Sequence, residues 1–265
     1  MTADGPRFAL DHVVLLLPYD MLQNPPAWIT DQLTVSPGGQ HADGKTENRL
    51  VLFQDGTYLE LIAFVKDDPE KRSGHWWDKP YGVVDFAFTT TDLDYESLKQ
   101  RFRDSGTGIS YAEPKAGGRI TPDGKELKWE VTFPTGVDRG NVPFFCTDVT
   151  PRERRVPVNE ANATHPSGAI GMAGMHLEVE KRDLERLSKA TAAVLGVKKQ
   201  DNDQFDVNVP KEVKKSKQAS IRIQEVSKDS KKDLALTLRL QTANHNPRDA
   251  VRQQIGDGLV SISFE

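Results

Sequence analysis

The sequence predicts an α+β chain built from a repeated unit of one strand, one helix and then several strands, and three observations carry that prediction. Apolar runs of strand length recur at 10–17, 58–64 and 83–88. Helical spacing of apolar residues falls between such runs rather than in long blocks. The cycle then begins again, twice, which is the signature of internal repetition. With 265 residues, 37% hydrophobic and 28% charged, the chain suffices for one sizeable core or two modest ones.

The first unit opens with a strand over 10–17. Pro25 and Pro26 stand at a helix entrance, followed by Trp28, Ile29 and Leu33 at helical spacing. Strands follow at 33–36, 49–53 and 58–64. Asp55-Gly56 joins the last two as a tight hairpin, because such turns need positive φ. The second unit opens at 83–88. Asp92 is placed to cap a helix carrying Leu93, Leu98 and Phe102 and ending near Gly106. Its later strands are expected at 127–133 and 142–148, after a Pro122-Asp123-Gly124 turn.

Residues 151–168 turn polar and prolyl, with Arg152, Arg154 and Arg155, and read as a linker. A third, looser unit follows from 169 to 265. It has a strand at 172–179, a helix from Asp183 to Gly196, a strand at 221–226, and C-terminal strands at 234–240 and 259–264. Asn246-Pro247 is a further helix start, with His245 in the loop before it. The expected organisation is therefore a two-unit domain over 8–150 (8–65 and 82–150), the linker, and the third unit.

Composition narrows the function. A formal net charge of −4 argues against a general nucleic-acid binder, and the Lys-rich stretch 198–232 is diluted by Asp201, Asp203, Asp206 and Glu212. No apolar run reaches membrane-spanning length and the start lacks a secretory pattern, so a cytoplasmic protein without membrane or nucleic-acid partners is expected. The single cysteine, Cys146, excludes an internal disulfide and a multi-thiolate zinc site, and its apolar neighbours read as a buried strand.

Two ionisable groups interrupt the apolar strands. Side chains alternate along a strand, so His12 should share a face with Leu10 and Val14, and Glu60 with Tyr58 and Ile62. A buried carboxylate without a partner costs several kcal/mol, roughly, so Glu60 must be paired, protonated or bound to a metal.

Read together, Leu10-Asp11-His12-Val13-Val14, the loop 37–50 and Tyr58-Leu59-Glu60-Leu61-Ile62 resemble a glyoxalase-like protein of the vicinal oxygen chelate superfamily. The resemblance implies βαβββ modules that curl into an open, cup-shaped mixed β-sheet with helices packed outside. It also implies metal ligands on the first and last strands of each module, positions that His12 and Glu60 match and at which Asp85 stands in the second module. The last strand of that module offers Phe144, Phe145 and Cys146, which departs from a four-ligand pattern.

Imidazole and carboxylate donors suit zinc, iron, manganese or nickel, and a catalytic metal needs about three protein ligands with a position left open. His12 and Glu60 with Asp85 or His41 would meet that minimum, Asp85 or His41 serving as third ligand or general base, and Glu60 and His41 are the candidate catalytic residues. Asn48 and Arg49 at the end of the Gly-rich loop, and Trp76 and Trp77 before the second unit, are the candidate substrate contacts. The reading is an enzyme of lyase, isomerase or dioxygenase type acting on a small oxygen-rich molecule, with a divalent metal. Its alternative is a metal-free protein that binds or sequesters a small molecule in the same cup. The third unit leaves a sheet to be completed, by the C-terminal strands or by a second copy in a homodimer.

Overall fold

The computed structural model describes residues 8–91, 94–121, 123–199, 203–214, 216–226, 234–243 and 248–265. The first unit contains β1 (Ala9–Leu16), short helices α1 (Tyr19–Gln23) and α2 (Ala27–Thr30), then β2 (Ser36–His41), β3 (Thr46–Leu52) and β4 (Tyr58–Phe64). After α3 (Pro69–Arg72) the second unit runs through β5 (Gly82–Thr89), α4 (Tyr95–Ser105), β6 (Ser110–Tyr111), β7 (Lys115–Ile120), β8 (Glu126–Thr132), β9 (Pro134–Thr135) and β10 (Phe144–Asp148). Then come α5 (Arg152–Arg155), β11 (Ala169–Val179), α6 (Lys181–Leu195), β12 (Gln204–Val207), β13 (Ala219–Glu225), β14 (Leu234–Thr242), β15 (Val251–Ile255) and β16 (Gly258–Phe264).

The first two units form one mixed sheet, ordered β1-β4-β3-β2-β7-β8-β10-β5 and closed into a barrel. The expected cup thus has its rim joined: β2 meets β7 through Gln40↔Ile120 and His41↔Arg119. Within it β1 runs parallel to β4 and antiparallel to β5, which in turn runs parallel to β10. The second sheet, β12-β13-β11-β14-β16-β15, repeats these relations strand for strand. It has no counterparts of β2 and β7 among the described residues. The C-terminal strands therefore supply the other half of this sheet within the same chain.

Both faces of the barrel's central strands are buried, which explains their continuous apolar runs. Val13, Leu15, Leu59 and Leu61 face outward into the main core shared with α6 and the second sheet. Val14, Leu16 and Ile62 face inward with Phe144 and Cys146. Tyr58, Glu60 and Ile62 share the inward face as strand alternation requires, but Leu10 does not share the face of His12. A register shift between Leu10 and His12 sends Leu10 to the outer core, while His12 looks into the barrel. A bulge of this kind re-aims a side chain that strict alternation would place elsewhere.

Several elements depart from expectation. Residues 33–36 are not a strand; pairing starts at Ser36 and runs through Pro37-Gly38-Gly39. Those glycines are needed there, since a Cβ at Gly38 would lie 2.2 Å from the Asn48 carbonyl and one at Gly39 2.3 Å from that of Ile120. The Gly117-Gly118 strand β7 was hidden in sequence for a related reason: a Cβ at Gly117 would meet the Trp129 indole at 2.5 Å. The cap of α4 is Asp94, whose side chain accepts from Ser97 N at 2.9 Å, with Gly106 left-handed at the other end. Asp92 and Leu93 lie outside the described residues, as do Pro122, His245 with Asn246-Pro247, and 227–233 of the Lys-rich stretch. Among the described residues no helix is long and apolar enough to cross a membrane.

Candidate functional site

A cavity of about 160 Å³ opens inside the barrel. β1 supplies His12, β2 His41, β3 Asn48, β4 Tyr58 and Glu60, and β7 Arg119, so the polar wall comes from the first unit and from the strand that closes the barrel. The facing wall is aromatic: Trp76, Trp77, Trp129, Phe133 and Phe144. Of the residues singled out from sequence, His12, His41, Asn48, Glu60, Trp76 and Trp77 are brought together here. Two are not. Arg49 points elsewhere, donating from Nη2 to the Gln23 carbonyl at 3.1 Å. Asp85 is fully buried outside the cavity lining. Its Oδ2 accepts from Trp77 Nε1 at 3.0 Å and from Arg139 Nε at 2.9 Å, so its charge is already matched.

Glu60 is the centre of the polar wall. Oε2 lies 3.6 Å from His12 Nε2, Oε1 lies 3.5 Å from His41 Nε2, and Oε1 accepts from Asn48 Nδ2 at 2.6 Å. Burial alone would raise this carboxyl; His41, His12 and the Asn48 bond outweigh it and hold it at about 2. Each imidazole has its far nitrogen occupied. His12 Nδ1 meets Asp11 Oδ2 at 2.8 Å and His41 Nδ1 meets the Thr46 hydroxyl at 2.7 Å. His12 is also stacked on Tyr58, with ring centroids 4.6 Å apart.

The orientation of His12 rests on a buried ion network below it. Arg155 donates from Nη1 to Asp11 Oδ2 at 2.9 Å and to the Tyr58 hydroxyl at 2.7 Å, and from Nε to Asp148 Oδ1 at 2.5 Å. Arg152 adds a second contact to Asp11, 2.6 Å to Oδ1. Burial works to raise the Asp11 carboxyl, but Arg155 and Arg152 more than offset it and hold it well below the ordinary range. An ionised Asp11 accepts, so His12 donates from Nδ1 and presents Nε2 to Glu60. Both arginines come from the segment 151–168 read as a linker, where α5 folds back against the barrel.

His75 belongs to the mouth. Its Nδ1 accepts from Trp77 N at 3.1 Å, its ring packs on Trp76 with centroids 4.2 Å apart, and burial pushes its pKa down to about 4. The sign follows directly. Below its unfolded value of about 6.5 the unfolded chain takes up a proton that the folded chain refuses, so stability falls as pH drops from about 6.5 to about 4. Wild type should lose about 1–3 kcal/mol over that window relative to His75→Gln, measured by urea denaturation at each pH. Parallel curves for the two proteins would refute the assignment.

The family model described as a glyoxalase-like domain matches residues 10–195. The chain belongs to this glyoxalase-like family. Among solved structures, the glyoxalase-like chain is similar to a hypothetical protein from Staphylococcus aureus, with 14% identity, 97% of this chain and 100% of that one covered, and a TM-score of 0.67. It also aligns with 2,2',3-trihydroxybiphenyl 1,2-dioxygenase from Sphingomonas wittichii strain RW1 at 8% identity, covering 98% and 91% of the two chains with a TM-score of 0.46. Methylmalonyl-CoA epimerase from Mycobacterium tuberculosis aligns at 18% identity over 58% of this chain and 96% of that one, TM-score 0.38. No curated protein matches the sequence.

Among the residues of the glyoxalase-like site that sequence reasoning missed, four bear on its chemistry most directly. Asp11 carried a signal, standing next to His12 in an otherwise apolar strand. Arg119 follows Gly117-Gly118 in a stretch without strand character, Arg155 lies in an apparent linker, and Trp129 has the spacing of an ordinary strand residue.

Proposed function

We propose that this glyoxalase-like protein is an enzyme acting on a small oxygen-bearing molecule in the barrel cavity, with a divalent cation held by His12, His41 and Glu60. The observation that carries the reading is the approach of two imidazole Nε2 atoms, at 3.6 and 3.5 Å, to the two oxygens of one buried carboxylate. These separations exceed a hydrogen bond. Donors about 2.0–2.2 Å from a shared cation stand roughly 3.3–3.6 Å apart at a tetrahedral angle, which brackets the two separations. His41 takes the place given to Asp85 by the resemblance, because Arg139 and Trp77 already engage Asp85. Two imidazoles and a carboxylate suit zinc, iron, manganese or nickel, and such an ion would polarise adjacent substrate oxygens in a lyase, isomerase or dioxygenase reaction.

The chain's own groups have separate tasks. Asp11 fixes the tautomer of His12, as carboxylates behind ligating histidines commonly do. Trp77 and Phe144 make one wall of the cavity apolar, which strengthens charge interactions within it. The fully buried Cys146, its thiol pushed up by burial, is left without a nucleophilic part, and a lone reduced cysteine suits the cytoplasm.

One observation favours a metal-free reading. Asn48 already donates to Glu60, and among the described residues no three His, Cys, Asp or Glu side chains stand in a ready metal-holding arrangement. In that reading Asn48 and the two imidazoles hold Glu60 in place, and the cavity binds its ligand without an ion. Metal analysis of gently purified protein separates the two. Stoichiometric metal, lost in the His12→Ala/Glu60→Ala double variant with the fold intact, is expected. An empty wild type with no thermal shift from any divalent ion would leave the metal-free reading.

A further inference from the structure

We infer that the molecule bound in the barrel is a small carboxylate, and that Arg119 receives its carboxyl group while the aromatic wall receives its body. This rests on the cavity being the functional site, as proposed above, and adds the chemical class of what enters it.

Arg119 is only 4% exposed and lines the cavity on the strand next to His41. Its Nη1 donates to Asn48 Oδ1 at 3.1 Å and its Nη2 to the Arg155 carbonyl at 3.1 Å. Both acceptors are neutral. Among the described residues no carboxylate forms a direct ion pair with this guanidinium, Glu60 acting on it only across the Asn48 amide, and its Nε has no hydrogen-bond partner. The other arginines packed against the barrel differ on this point: buried Arg155 and half-buried Arg152 meet Asp11 and Asp148, and buried Arg139 meets Asp85. A buried charge without a counter-charge is expensive, and arginine does not escape the expense by losing its proton. A planar guanidinium fork is the geometry that receives a carboxylate, and the Nε–H of this one is closed off from water without a partner.

Charge balance points the same way. Asp11 and Asp148 neutralise Arg155 and Arg152, leaving Glu60 and Arg119 as the remaining pair of opposite charges, linked through the two ends of the Asn48 amide. A divalent cation beside Glu60 leaves the cavity in positive excess, which an anionic ligand removes. Asp43, at the mouth, is exposed and solvated.

Size and lining set the rest. A cavity of about 150 Å³ holds one benzene, and this one is about 160 Å³. Trp77, Phe133 and Phe144 form a continuous wall, with Phe133 and Phe144 centroids 5.5 Å apart and those of Trp77 and Phe144 6.5 Å apart. Such a wall accepts a ring or a short branched chain and gives no donors to a phosphate dianion.

The probe pair is benzoate and benzamide, equal in shape and different in charge. Titration calorimetry and thermal shift on the full chain should show benzoate bound at least tenfold more tightly than benzamide. Arg119→Gln should weaken benzoate about tenfold or more while leaving benzamide unchanged, since a hydrogen bond to a charged group supplies that much discrimination. Arg119→Lys, which keeps the charge and loses the fork, should fall between and guards against misfolding of the glutamine variant. Equal binding of the two probes, or benzoate binding that survives Arg119→Gln and is abolished by chelator, would overturn the inference, the second outcome assigning the carboxylate to a metal. Divalent-ion response in Arg119→Gln is read separately: its presence with benzoate binding lost supports both proposals, and its absence in wild type with benzoate discrimination intact sinks only the metal.

Discussion

Arg155→Met is expected to be the most damaging single substitution in the chain, lowering stability by about 3 kcal/mol or more. Arg155 is 3% exposed, held between Asp11 and Asp148 and under the Tyr58 hydroxyl, and these acids keep its guanidinium well above its ordinary pKa despite burial. Removing one partner of a buried ion network strands the others, which is costlier than never having had the network. Asp11 keeps its contact with Arg152, so the loss stays below that of a wholly unpaired charge. Adding Asp11→Asn should recover part of the loss by deleting the stranded carboxylate. Urea denaturation of the four proteins measures this cycle, and a single-variant loss under about 1 kcal/mol would show that the network contributes little.

Glu60→Gln is expected to abolish the thermal shift produced by a divalent ion while preserving the fold. Gln retains the shape of Glu60 and an oxygen for the Asn48 amide, but not the negative charge that sits between two imidazoles. An ion present at about 100 times its dissociation constant stabilises the folded state by about 2.7 kcal/mol, or roughly 5–10 °C for a chain of this size. Asp11→Asn should weaken the same ion by about 10–100-fold through His12 alone. A full shift retained in Glu60→Gln would remove this carboxylate from the metal proposal.

Much of this site was legible because burial contradicts charge. His12 and Glu60 stand in apolar strands, and a charged group that a strand cannot turn to water has to be used. His41, Asn48 and the tryptophans were legible more weakly, from a Gly-rich loop and an aromatic pair. Arg49 was misplaced because its side chain leaves on the opposite face from Asn48 and Leu50, both of which line the cavity. Asp85 had the right strand position by resemblance, and the difference lay in Arg139, a residue 54 positions away.

By itself the sequence determined the strand–helix–strands repeat, the family, and the two ionisable groups within apolar strands. Those properties are local: they depend on which residues alternate and which turns permit positive φ. Tertiary structure alone decided that the cup closes, because the meeting of β2 and β7 depends on glycines that let two backbones approach. It also decided that α5 folds beneath the barrel to set His12 through Asp11, and that Arg119 has no direct ion pair among the described residues while Asp85 is paired with Arg139. Charge pairing is a property of distances across the fold, and residues far apart in the chain carry no local pattern that announces it.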